Sequence, residues 1–148
     1  MKVHPRSDWS QSQIEDFLQQ SVIPIRIACV SKDGFPVVAS LWFFYADDAL
    51  WSATHKNAFI VRQLERSPKA GFEIATNDYP YRGVRGKADA SVTREGAKAV
   101  LARLIDRYLG DSNQELAKWL LGRAEDEYVI RLSPRRINAW DFSRRMEG

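Results

Sequence analysis

Residues 50–64 read LWSATHKNAFIVRQL and hold the densest set of chemically capable groups in this 148-residue chain. A strand ends at Thr54, a polar corner His55-Lys56-Asn57 follows, and a helix begins with Asn57 as its expected cap. A helix N-terminus presents unbonded N–H groups and the positive end of its dipole. With the Lys56 ammonium and the Thr54 hydroxyl beside it, such a corner forms a seat for a phosphate. The same residues also suit a capped helix with a solvated lysine, so both readings stand. The strand Val37–Tyr45, VVASLWFFY, is the second candidate. Its small pair Ala39-Ser40 lets a flat ring approach the backbone, and Trp42 borders such a slot, whereas Phe43 and Phe44 read as core. Third is Tyr79–Lys87, YPYRGVRGK, where Arg82 and Arg85 can reach an anionic or carbonyl oxygen, or simply keep an edge strand soluble.

Other chemistries find little support. His4 and His55 are the only histidines, and neither has a Cys or His at metal-ligand spacing, so no metal site is expected. A lone His beside a cap reads more readily as a hydrogen-bonded surface group than as part of a Ser-His-Asp set. The C-terminal Arg131, Arg135, Arg136, Arg144 and Arg145, with Trp140 and Phe142, mimic a nucleic-acid patch. Strand alternation divides them between two faces, and no nucleic-acid partner is expected.

The elements that must position these groups follow from period and punctuation. Asp8–Gln20 has a helical stripe of Ile14, Phe17 and Leu18, capped by Ser10 or Ser12. Ile25–Ser31, a turn at Lys32-Asp33-Gly34, the arm Phe35–Tyr45, a turn at Asp47-Asp48 and Leu50–Ala53 read as a meander of antiparallel strands. A short helix runs to Arg66 and stops at Ser67-Pro68, and Ala70–Thr76 is a strand. Tyr81–Val92 is a long strand whose Gly83 and Gly86 indicate a bulge or barrel corner. Thr93 caps a helix with Val100, Leu101, Leu104, Ile105 and Leu109 as its stripe, Gly110 stops it, and Asn113–Gly122 is another. Strands Tyr128–Leu132 and Ile137–Phe142 close the chain, on either side of Pro134. The order favours an α+β fold, an antiparallel barrel with flanking helices, in one domain spanning 1–148.

The composition fits that reading. Hydrophobic residues make up 45% and charged ones 28%, which supplies a core without a metal or disulfide staple. The single cysteine, Cys29, fits a reducing, cytoplasmic setting. No apolar run reaches the length of a membrane span, and no membrane partner is expected. The net charge of +3 suits a phosphate-bearing small molecule as well as a nucleic acid.

Taken together, five segments resemble the pyridoxamine 5′-phosphate oxidase-like, FMN-binding split-barrel family: IRIACVSKDGFPVVASLWFFY, LWSATHK, QLERSPKAGFEI, YRGVRGKADASV and VIRLSPRRINAWDF. The resemblance runs from Ile25 to Phe142. It implies an antiparallel split β-barrel and a homodimer with FMN at its interface. It also implies that Val38, Ala39, Ser40 and Leu41 meet the isoalloxazine ring, and that Ala53 and Thr54 line the phosphate end. Trp42, His55, Lys56, Asn57, Arg82 and Arg85 complete the expected cofactor-binding set. Two departures matter. Many members follow the threonine corner with a Ser-Arg-Lys run, where this chain has Ala58, Phe59 and Ile60. Lys56, with Arg62 or Arg82, then takes the phosphate. True oxidases also end in an Arg-x-His pair, where this chain has Arg144-Arg145-Met146, so pyridoxamine phosphate oxidase activity is not expected. The resemblance implies a flavoprotein, a flavin-dependent oxidoreductase acting on a small-molecule substrate. The alternatives are a deazaflavin-dependent reductase of the same fold and a non-enzymatic flavin- or haem-binding module.

Overall fold

The computed structural model describes residues 1–147. Its strands are β1 (Ile25–Val30), β2 (Pro36–Leu41), β3 (Phe44–Ala46), β4 (Ala49–His55), β5 (Lys69–Ala75), β6 (Arg82–Thr93) and β7 (Glu127–Asp141). All seven form one antiparallel sheet in the order β2-β1-β5-β6-β7-β4-β3. Helices α1 (Gln11–Gln20), α2 (Phe59–Arg66), α3 (Ala97–Leu109), α4 (Gln114–Gly122) and the short α5 (Ser143–Met146) flank it. The expected α+β class holds. No helix among the described residues is long and apolar enough to cross a membrane.

The curl of the sheet follows from one connection. Strands β2 and β3 lie at opposite edges, yet only Trp42 and Phe43 join them. Six inter-strand spacings in a flat sheet would separate those edges by about 29 Å. Three Cα steps reach at most about 11 Å. The sheet therefore rolls until its edges approach, with a seam beside β2 that no ladder closes. Inside, alternation along the strands buries Ile25, Ile27, Phe72, Ile74, Val84, Leu132 and Ile137, and Ile14 and Leu18 of α1 join that core. Ser10 starts α1 with a reciprocal capping box to Gln13, so the helix begins at Gln11 rather than Asp8.

Four expectations are corrected, the simplest being that Thr93 ends β6 and does not cap α3, whose N-cap is Gly96 without a side-chain bond. The arm Phe35–Tyr45 is not one strand. The Phe43 N–H donates to the Tyr108 hydroxyl at 3.1 Å, and that hydroxyl donates to the Ile23 carbonyl at 2.7 Å. With the Phe43 side chain fully buried, the chain is pulled out of the β1 ladder at the crossing. The two closing strands are one, because Pro134 sits at a bulge. Lys87 pairs Arg136 and Ala88 pairs Pro134, which leaves Arg135 as the extra residue and removes the need for a proline N–H. Asn57 does not cap α2. The N-cap is Ala58, without a side-chain bond, and the His55 ring instead accepts the Asn57 N–H at 3.2 Å.

The glycines of β6 mark close approach rather than the bulge itself. A Cβ on Gly86 would lie 2.6 Å from the Phe72 ring and run into the Arg136 carbonyl, and one on Gly83 would lie 2.6 Å from the Ala75 Cβ. Two strands can only roll this tightly if one lacks side chains there. Gly86→Ala is expected to destabilise the fold by about 2–3 kcal/mol, read as a lower urea midpoint at an unchanged slope.

Candidate functional site at the barrel seam

The seam opens into a pocket of about 390 Å³ lined by twelve residues. Ser40, Leu41 and Trp42 come from β2 and the crossing, and Ala53, Thr54 and His55 from β4. The two segments singled out in the sequence, distant along the chain, thus form facing walls of one cavity. Ala53 and His55 share the strand face turned to it. Alternation gives the Thr54 side chain to the opposite face, that of buried Ser52.

Helix α3 supplies the roof through Leu101 and Leu104, and α4 adds Leu120. Its position is fixed by Arg107, whose guanidinium donates to the carbonyls of Leu18, Gln19 and Ser21 at the C-terminal end of α1. The next residue, Tyr108, then stacks on Trp42 with centroids 5.0 Å apart and planes 8° from parallel. One face of the indole is thereby covered, and its orientation at the pocket wall is set.

The polar end consists of His55, Arg123 and Glu127. Because Asn57 donates its N–H to His55 Nδ1, the imidazole proton sits on Nε2. Arg123 follows α4 and lies 4.5 Å above the Trp119 ring, a cation–π contact. Glu127 opens β7 opposite His55 in the ladder and is only 7% exposed. Burial pushes its carboxyl above the ordinary 4.5 and the Asp126 charge adds to this, while Arg123 and His55 oppose it. Arg123 and Glu127 escaped the sequence reading, which began the last strand at Tyr128. An acidic run before a strand gives no sign of burial until the partner strand is known.

The remaining expected site residues lie elsewhere. Ala39 packs against the core, and Val38 lines a neighbouring cationic groove that also holds Arg85. Arg82 is exposed and pairs across the ladder with Asp141. Lys56 lies outside the pocket and its ammonium bonds the Asp126 carboxylate at 2.6 Å. The corner amides are also taken: Lys56 N–H donates to the Asp126 carbonyl, Asn57 N–H to the His55 ring and Ala58 N–H to the His55 carbonyl. Among the described residues no three His, Cys, Asp or Glu side chains gather as a metal site.

The rolled antiparallel sheet with its open seam defines the split-barrel class, and the comparisons specify the family. The sequence pattern described as pyridoxamine 5′-phosphate oxidase matches residues 10–141, and the chain belongs to that family. No curated protein matches the sequence. Among solved structures, a conserved hypothetical protein of Mycobacterium tuberculosis, Rv2991, is similar with a TM-score of 0.78 at 23% identity. The match covers 95% of this chain and 90% of that one. An F420 reductase follows at TM-score 0.68 and 21% identity, covering 83% and 94%. HutZ, a heme storage protein of Vibrio cholerae, reaches 0.68 at 20% identity, covering 88% and 93%. These likenesses establish the shared fold.

A raised carboxyl has a thermodynamic consequence. The folded chain holds the Glu127 proton more tightly than the unfolded chain, so stability is highest below pH 4.5 as far as this group is concerned. It falls as pH rises toward the folded value. The unfolding free energy of wild type minus that of Glu127→Gln is expected to decline from about pH 4.5 upward and then level off, read in urea titrations between pH 4 and 8.

Proposed function

We propose that the chain binds a flavin-class redox cofactor with its ring in the seam pocket and acts as an oxidoreductase on a small-molecule substrate. The observation that carries this is the convergence of Ser40–Trp42 and Ala53–His55 on one cavity. Its volume, apolar walls and few polar groups at one end suit a planar heterocycle. Strand β2 is an edge, so half its main-chain N–H and C=O groups are without a ladder partner and can bond ring heteroatoms. When bound, the cofactor supplies hydride or electron transfer. The protein's part is to hold the ring between Leu41, Trp42 and Leu104, exclude water, and set hydrogen bonds at the polar end.

The tail of the cofactor is the finer question. Lys56 is held by Asp126, and the corner amides are donated internally, which leaves that corner a poor phosphate seat. Two residues along the exposed face of β2, from Ser40 to Val38, a groove of about 950 Å³ begins. It carries Lys2, Arg26, Arg85, Lys87 and Arg136, with Arg135 at its edge bonded to Asp89, against a single lining carboxylate, Glu73. FMN with its phosphate directed there is one reading. A deazaflavin coenzyme is favoured by the groove's volume and charge, since such a cofactor carries a longer anionic tail. A homodimer is part of the proposal. Val30, Phe35 and Val38 of the β1–β2 hairpin are 53–69% exposed, and Asn138 Oδ1 and Trp140 Nε1 are buried without a partner among the described residues.

Purified protein is expected to bind FMN or a deazaflavin coenzyme at one per chain, followed by absorbance, and to run at twice the chain mass. Arg85→Ala with Arg136→Ala should weaken binding of the tailed cofactor by about tenfold or more and leave riboflavin binding unchanged. No binding of any flavin or deazaflavin would overturn the proposal.

A further inference from the structure

Glu127 is a buried carboxyl whose surroundings within the chain do not account for it. It is 93% buried, counting from its 7% exposure, and no hydrogen bond or ion pair to its carboxyl is formed among the described residues. A buried ionisable group without a partner is costly. Glu127 lines the seam pocket and also a second cavity of about 550 Å³. The charged neighbours are few. Arg123, Glu125 and Asp126 lie on the segment before it, His55 faces it from β4 with the Lys56–Asp126 pair beyond, and Arg94, Glu95 and Lys98 border the second cavity from the start of α3.

The polar end of the seam pocket is lined by one carboxyl acceptor, Glu127, and two donors, the His55 Nε2–H and the Arg123 guanidinium, with Glu127 directly opposite His55 in the β4–β7 ladder. The complementary ligand edge is an N–H flanked by two carbonyl oxygens. We propose that Glu127 is the specificity-determining residue of the pocket, accepting an imide N–H from the ligand ring while His55 and Arg123 donate to the flanking carbonyls. The inference rests on the flavin reading and extends it. It puts the pyrimidinedione end of the ring at the β4–β7 end of the pocket and leaves the substituted end to run along β2 toward the cationic groove. It also holds for FMN and deazaflavin alike, since both carry that imide.

The test uses ring probes without the charged tail: riboflavin and 5-deazariboflavin, each with its N3-methyl derivative, titrated into the full-length protein. Wild type should bind the parent rings at least about tenfold more tightly than the N3-methyl rings. Glu127→Ala, with space and no acceptor, should bind both forms within about twofold of each other. Glu127→Gln, which keeps a carbonyl acceptor and the side-chain volume, should retain preference for the parent ring and serves as the folded control if the alanine variant is unstable. Equal binding of both forms to wild type, or an unchanged preference in Glu127→Ala, overturns the assignment while leaving the flavin reading intact. Failure of riboflavin and 5-deazariboflavin to bind wild type overturns the assignment, and failure of FMN and a deazaflavin coenzyme as well overturns both.

Discussion

Two residues joining the opposite edges of a seven-stranded sheet is the constraint on which the rest of this molecule depends. Trp42-Phe43 is too short to cross a flat sheet, so the sheet rolls, and the rolled sheet cannot complete its hydrogen bonding where the crossing passes. The side chain of Phe43 locks inside the barrel, and its N–H is taken by Tyr108 instead of a strand. Tyr108 is thus both a substitute ladder partner and the plate against which Trp42 lies. The pocket is a by-product of closure: it occupies the gap left where strand pairing stops.

Helix α3 is bound to this arrangement from both ends of its chemistry. Arg107 satisfies three carbonyls left over at the end of α1, a task usually given to a glycine cap or to water. One turn earlier, Leu104 and Leu101 present the apolar roof. Core packing, helix termination and site shape are therefore coupled through a single helix, and a change in any of them is felt in the others.

Much of this was legible in the sequence because it depends on local rules. The capping box of α1, the Asp47-Asp48 turn with both residues at positive φ, the stripe of α3 and its stop at Gly110 all follow from residue types at fixed offsets. What was hidden depends on tertiary pairing. Pro134 reads as a strand breaker until the partner strand shows a bulge that makes its missing N–H harmless. Phe35–Tyr45 reads as one strand because nothing local marks the exit at Trp42. The corner 55–58 reads as an anion seat because its internal donors, and the Asp126 carboxylate seventy residues on, are invisible along the chain. For the same reason Glu127 looks like one more acid in Glu125-Asp126-Glu127, although its neighbour Asp126 is held below the usual carboxylate range by Lys56 while Glu127 is driven the other way.

The unzipped flank of β2 carries a consequence for how such a protein diverges. Recognition by main-chain atoms depends on the path of the strand and very little on which side chains it bears. On the proposed reading, a lineage can therefore exchange most of its residues, keep the gap, and continue to admit flat guests, while the side chains around the rim decide which guest is welcome. Structures sharing about a fifth of their residues with this one retain the same roll of the sheet. Divergence of that kind would fall first on rim positions such as Arg123 and Glu127, and last on the span that forces the sheet to close.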